Sequence, residues 1–118
     1  MARKILIVDD AQTDRSNLEK IVSEAGHMTL LAESGLQAIE RALRDKPDLI
    51  LMDVNMPDMD GFAATRKLKA DEATKHIPIV FVSSKDQKAD KAWGQMLGAK
   101  GYVTKPYNRE QILAQLNG

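Results

Sequence analysis

Residues 5–10 read Ile5-Leu6-Ile7-Val8-Asp9-Asp10, four consecutive apolar residues followed by two adjacent carboxylates. A branched apolar run this short, with no polar alternation, reads as a strand covered on both faces, and therefore as part of a parallel sheet. Four more runs follow it: Met28-Thr29-Leu30-Leu31, Leu49-Ile50-Leu51-Met52, Ile79-Val80-Phe81-Val82 and Tyr102-Val103. Between them apolar residues recur at helical spacing, as Leu18, Ile21, Val22 and Ala25; Leu36, Ile39 and Leu43; Ala89, Ala92, Trp93, Met96 and Leu97; and Ile112, Leu113 and Leu116. Each set predicts the inward stripe of a surface helix. Residues 62–70 are striped less sharply, with Ala64 and Leu68 the inward candidates.

Punctuation agrees with this division. Ser34 precedes the second helix, Ser84-Lys85-Asp86-Gln87 and Asn108-Arg109-Glu110-Gln111 resemble capping boxes, and Gly26 and Gly98 follow helix ends. Pro78 falls at the mouth of the fourth strand, where a missing amide hydrogen is tolerated. Five strand–helix pairs in sequence imply an α/β fold, a doubly wound five-stranded parallel sheet with helices on both faces and right-handed crossovers.

The chain has 118 residues, the size of one domain, and no linker or repeat divides it. Cys 0 excludes thiolate zinc sites, thiol catalysis and disulfide scaffolds. Lys+Arg 17 balances Asp+Glu 17, so total charge gives no reason to expect nucleic acid or an anionic membrane as a partner. The first apolar run is too short for a signal-peptide core or a spanning helix, and a cytoplasmic protein is expected.

The chemistry lies at the strand ends. Asp9 and Asp10 follow the first run, Asp53 the third, Ser83-Ser84 the fourth, and Thr104-Lys105-Pro106 the fifth. Parallel strands all end on one edge, so the three carboxylates converge there if the first and third strands are neighbours. Like charges so close raise one another's pKa, and a hard divalent cation relieves them. An all-oxygen donor set without Cys, and with both His elsewhere, favours Mg²⁺ or Mn²⁺ over zinc. Lys105 is then free to hold a second anionic group, most simply a phosphoryl group. Taken singly, Asp9-Asp10 would suit helix N-terminal decoration, Lys105 a solvated surface and Ser83 a helix cap. Together, four strand ends with complementary groups make that reading improbable.

The segments 5–10, Leu49 to Met52 with Asp53-Val54-Asn55-Met56-Pro57-Asp58-Met59-Asp60-Gly61, and Lys105-Pro106 resemble the receiver domain of two-component response regulators, the CheY-like superfamily. The resemblance spans essentially the whole chain, 1–118. It implies a flavodoxin-like fold with strand order 2-1-3-4-5 and a phosphoacceptor signalling protein rather than an enzyme. By the same resemblance Asp53 is the phosphoacceptor. Asp10, Asp53 and the backbone carbonyl of Asn55 are Mg²⁺ ligands, with Asp9 acting through water. Lys105 pairs with a phosphoryl oxygen, and its bond to Pro106 is expected to be cis. Ser83 is the switch hydroxyl and Tyr102 the rotating aromatic beside it. The implied partners are a histidine kinase and a downstream effector that docks on the face of helix 4, strand 5 and helix 5, with Trp93, Tyr102 and Tyr107 as candidate contacts. A monomer is expected.

Some positions depart from the commonest pattern of the family. Ser84 stands where Ala is usual, and Lys85 lies on the route of the hydrolytic water; with Asn55 they are expected to tune the lifetime of the acyl phosphate. Ser84 to Gln87, Asp90-Lys91-Ala92-Trp93-Gly94 and Leu97-Gly98-Ala99 resemble the stand-alone PilH-type regulators of type IV pilus twitching systems more than the flagellar regulators. Trp93 shares the helix 4 stripe, and a tryptophan there is more often a partly buried packing residue than a partner anchor. A haloacid-dehalogenase phosphatase would need Asp-x-Asp where the acids here are adjacent, and neither a P-loop nor a Gly-x-Ser-x-Gly elbow is present. Two alternatives stay open: a pseudo-receiver that binds without being phosphorylated, and a receiver cut from a larger regulator. No output domain is expected after the last helix.

Overall fold

Parallel pairing joins β1 (Lys4–Val8) to β2 (Met28–Ala32) on one side and to β3 (Leu49–Met52) on the other; β4 (Ile79–Ser83) and β5 (Gly101–Thr104) complete a five-stranded sheet of order β2-β1-β3-β4-β5. This is the architecture of the computed structural model, which describes residues 2–117. The connecting helices are α1 (Gln12–Glu24), α2 (Gly35–Asp45), α3 (Gly61–Ala70), α4 (Lys88–Met96) and α5 (Arg109–Leu116).

Alternation along the strands divides the core in two. Ile5, Ile7, Leu49, Leu51, Val80 and Val82 point to one face, where α1 and α5 cover them with Leu18, Ile21, Val22, Ile112 and Leu116. Leu6, Val8, Ile50, Met52, Ile79 and Phe81 point to the other, under α2 and α3. The inner strands β1, β3 and β4 are apolar on both sides for this reason. The edge strands are not fully covered as the sequence suggests: β2 and β5 are half-buried, and Met28 is exposed.

Strands four and five run one residue further at each disputed end than their apolar runs. Ser83 is the last residue of β4 rather than the first after it, and Thr104 pairs beside it in β5. Caps form as expected at Ser34, which accepts from Gln37 N, and at Asn108, which exchanges hydrogen bonds with Gln111. The proposed Ser84–Gln87 box does not form. Helix α4 starts later, and its box joins Gln87 to Asp90, whose Oδ2 accepts from Gln87 N at 3.2 Å. Gly26 and Gly98 end their helices at φ 91° and 90°, in the left-handed region that a side chain disfavours.

Two helices turn a different face inward than their apolar stripes predict. In α2 the contact face is Gly35, Ala38 and Ala42, while Leu36 and Leu43 face solvent and Ile39 is half-buried. In α4 only Gly94 is buried: a β-carbon there would come within 3.1 Å of Phe81 and 3.3 Å of Tyr102. The helix lies close to the sheet on that glycine, so Ala89, Ala92, Trp93 and Met96 are left outside, with Met96 76% exposed. Small residues permit close approach and thereby set the phase of both helices. Ala25 is likewise exposed, as the C-cap of α1.

Candidate functional site

Register brings the strand-end groups together. Val8 pairs with Met52, so Asp9 and Asp53 leave adjacent strands side by side, with Asp53 N donating to Val8 O at 2.9 Å. Ser83 pairs with Thr104, and Lys105 N donates to Ser83 O at 2.9 Å. Donor oxygens of Asp9, Asp10 and Asp53 all lie within 4.8 Å of one another. Asp9 and Asp53 are buried and Asp10 is exposed, so the cluster opens to solvent on the Asp10 side.

Lys105 completes the cluster from the far edge. Its Nζ lies 2.8 Å from Asp9 Oδ2, 3.0 Å from Asp14 Oδ2 and 3.8 Å from Asp53 Oδ1. The Lys105–Pro106 bond is cis. Burial works to discharge the ammonium, but hydrogen bonds to Asp9 and Asp14 and the charges of Asp53 and Asp9 outweigh it and hold its pKa above the ordinary value. The Asp53 pKa is raised as well, which for an acid favours the neutral form. Burial first, and then the Asp9 carboxylate, push it up to about 6, against the pull of Lys105 and the Val54 and Asn55 amides. Val54 N donates to Asp53 Oδ1 at 2.8 Å.

Such a carboxylate set fits a hard divalent cation: all donors are oxygen, none is His or Cys, and burial together with the neighbouring Asp9 carboxylate disfavours the charge on Asp53 that a cation would stabilise. The loop from Val54 to Asp60 shapes the rim. Gly61 N donates to Val54 O at 2.9 Å, Asp60 caps α3 through Ala63 N at 2.8 Å, and Asp58 takes the left-handed conformation at φ 67°. Gly61 is required here, because a β-carbon would fall on the Asp53 carbonyl oxygen. Across the mouth, Asn55 Nδ2 donates to Ser84 Oγ at 3.2 Å.

Ser83 is buried, and its hydroxyl accepts from Lys85 N at 3.1 Å. Tyr102 is half-buried, with its ring 5.9 Å from Phe81, which in turn meets Phe62 edge-on at 5.0 Å. A cavity of about 280 Å³ beside Tyr102 is lined by Lys91, Gly94, Gln95, Ala99, Lys100 and Gly101. Trp93 is not among its walls: Arg66 of α3 lies over the indole at 5.7 Å, so Trp93 faces α3 instead of Tyr102. Tyr107 stands by the acid site, where its hydroxyl accepts from Asn17 Nδ2 at 2.9 Å. The structure therefore brings Asp9, Asp10, Asp53 and Lys105 together with Ser83 and Asn55 nearby, and separates Trp93 from Tyr102.

Asp14 and Arg15 were not singled out by the sequence. Asp14 reaches Lys105 from the first turn of α1, and Arg15 Nη1 donates to the Asp9 carbonyl at 2.8 Å. The available signal was positional: the first turn of a helix that follows an acidic strand end points along the same sheet edge.

A doubly wound sheet with three carboxylates and one lysine at its carboxyl edge defines a receiver, and the chain belongs to the response regulator receiver domain family, which matches residues 5–117. It is 45% identical over 117 residues to protein PilH of Pseudomonas aeruginosa, covering 99% of this chain and 96% of that protein. Among solved structures it is similar to the chemotaxis protein CheY4 of Vibrio cholerae, with TM-score 0.91 and 31% identity over 98% of this chain and 97% of that one. It is also similar to the receiver domain of the sensor histidine kinase PA1611 of Pseudomonas aeruginosa, solved with a magnesium ion coordinated in the active site cleft. That match has TM-score 0.89 and 29% identity, and covers 98% of this chain and 95% of the other. Receiver domains are signalling modules that work with histidine kinases and effector proteins. No helix among the described residues is long and apolar enough to cross a membrane.

Proposed function

We propose that this receiver is a phosphoacceptor, taking a phosphoryl group from the phosphohistidine of a histidine kinase onto Asp53. The observation that carries this reading is the Lys105 ammonium, 3.8 Å from Asp53 Oδ1 inside a three-carboxylate cluster. An Asp53 oxygen attacks phosphorus in line, the P–N bond to the kinase histidine breaks, and the histidine leaves with its electron pair. An acyl phosphate on Asp53 is the product. Hydrolysis of its P–O bond returns the carboxylate and inorganic phosphate.

Lys105 neutralises the transferred group from one side. Asp10, Asp53 and the backbone carbonyl of Asn55, with Asp9 through water, would hold Mg²⁺ or Mn²⁺; when bound, the ion supplies positive charge to the phosphoryl oxygens. Burial of Asp9 and Asp53 excludes bulk water and strengthens both interactions. Ser83 serves as the switch hydroxyl: it accepts from Lys85 N while its own proton remains available to a phosphoryl oxygen. Movement of the 83–85 backbone then reaches Tyr102, which bonds to Lys85 O, and alters the α4–β5–α5 face for an effector protein. Similarity to PilH supports placement in a type IV pilus twitching or taxis pathway.

Incubation with Mg²⁺ and acetyl phosphate, followed by intact-mass measurement, tests the reading. One phosphoryl adduct on the wild type and none on Asp53→Asn is expected. An adduct that persists in Asp53→Asn, or no adduct on the wild type with either acetyl phosphate or a phosphorylated kinase, overturns it.

A further inference from the structure

The Lys105 ammonium has three N–H donors, and two of them are engaged by Asp9 Oδ2 at 2.8 Å and Asp14 Oδ2 at 3.0 Å. The side toward Asp53 is left, at 3.8 Å and beyond hydrogen-bond reach. Its two partners differ in their other commitments. Asp9 Oδ1 accepts from Ala11 N at 2.9 Å, and Asp9 also belongs to the three-carboxylate cluster. Any cation held there draws on Asp9 and weakens its hold on the lysine. Asp14 projects from α1, lies outside that cluster and is half-exposed.

We infer that Asp14 is a positioning residue: it keeps the Lys105 ammonium aimed at Asp53 when Asp9 is drawn to a cation, with one N–H free for an oxygen of the incoming phosphoryl group. The inference rests on the phosphoacceptor reading of the site. Three donors accommodate Asp9, Asp14 and a phosphoryl oxygen at once, so Asp14 supports the arriving group and does not compete with it. Without Asp14 the long lysine side chain regains rotamer freedom, and the phosphoryl group has to restrict it on arrival.

The test is calorimetric titration of the full chain, first with Mg²⁺ and then, in saturating Mg²⁺, with beryllofluoride as a phosphoryl mimic. Wild type, Asp14→Ala, Asp14→Asn and Lys105→Ala are compared, with thermal melting of each. For Asp14→Ala we expect Mg²⁺ affinity to change by no more than about twofold, since a half-exposed charge is screened. Beryllofluoride affinity should fall about three- to tenfold, the range for one lost hydrogen bond. Asp14→Asn keeps an acceptor oxygen and should recover part of that loss, a split between the two ligands that a merely structural role would not produce. Unchanged or tighter beryllofluoride binding by Asp14→Ala, with wild type binding and Lys105→Ala not, overturns this inference alone. Parallel loss of Mg²⁺ binding and melting temperature in Asp14→Ala makes Asp14 structural and overturns it too. No Mg²⁺-dependent beryllofluoride binding by the wild type overturns the phosphoacceptor reading and this inference with it.

Discussion

Ser83 and Tyr102 meet on the backbone of one residue: Lys85 N donates to the Ser83 hydroxyl at 3.1 Å, and the Tyr102 hydroxyl donates to Lys85 O at 2.6 Å. The buried serine at the end of β4 and the edge aromatic of β5 are thus two handles on the same peptide. A shift of the serine is felt by the tyrosine through that shared peptide.

Tyr102→Phe removes one handle. It should leave the fold intact, at a cost of about 1 kcal/mol for the lost hydrogen bond. Amide hydrogen exchange should quicken around residues 84–87, whose outer anchor is gone, and not in β4. Equal protection in both proteins would mean that the Tyr102 bond does not restrain the loop.

The position of Asp53 gives the protein a characteristic response to pH. Its carboxyl titrates at about 6 in the folded chain and at 3.8 ordinarily, so between those values the folded state binds more protons than the unfolded one. Stability contributed by this group therefore falls as pH rises through that window and stays low above it. Asp53→Asn removes the effect. In chelator, urea unfolding should find Asp53→Asn more stable than wild type at pH 7, on the order of 2 kcal/mol, with the difference vanishing below pH 4. Added Mg²⁺ should narrow the gap by stabilising the wild-type carboxylates. Parallel stability profiles for the two proteins across pH 4–7 would refute this account.

A β-carbon on Gly61 would collide with the backbone carbonyl of Asp53, which, unlike the Met52 side chain beside it, cannot swing aside. Gly61→Ala should destabilise the fold by roughly 1–3 kcal/mol through overpacking. It should also displace Asp53 and weaken Mg²⁺ binding at least as much as it lowers melting temperature. A variant that binds Mg²⁺ as wild type does, at unchanged stability, would show that the loop relaxes freely.

Trp93 is 38% exposed and lies under Arg66 instead of within the core. Its fluorescence should be red-shifted and readily quenched by acrylamide. Trp93→Ala should lower stability by only about 1 kcal/mol, the worth of an exposed cation–π contact with modest burial. A blue-shifted, unquenchable emission would return Trp93 to the core.

The strands and the acid site were legible in the sequence because both rest on strong local signals. Apolar runs mark buried strands, and a carboxylate directly after such a run has only the sheet edge to occupy. The phases of α2 and α4 were not legible. Hydrophobic periodicity finds the stripe Leu36–Ile39–Leu43 and the stripe Ala89–Trp93–Met96, whereas contact is made by Ala38, Ala42 and Gly94, which carry little hydrophobic weight. Close approach is a steric property, and it shows only when the sheet is present to approach. Asp14 escaped for a related reason: its partner Lys105 lies 91 residues away.

Lys105 meets Asp9 across 96 residues, and it follows the edge strand β5, the last strand of the sheet. During synthesis the three carboxylates emerge well before their lysine. An unfinished chain therefore carries an acid cluster without its counter-charge. The acid cluster gains its lysine only when β5 docks, so on the proposed phosphoacceptor reading the site is completed last.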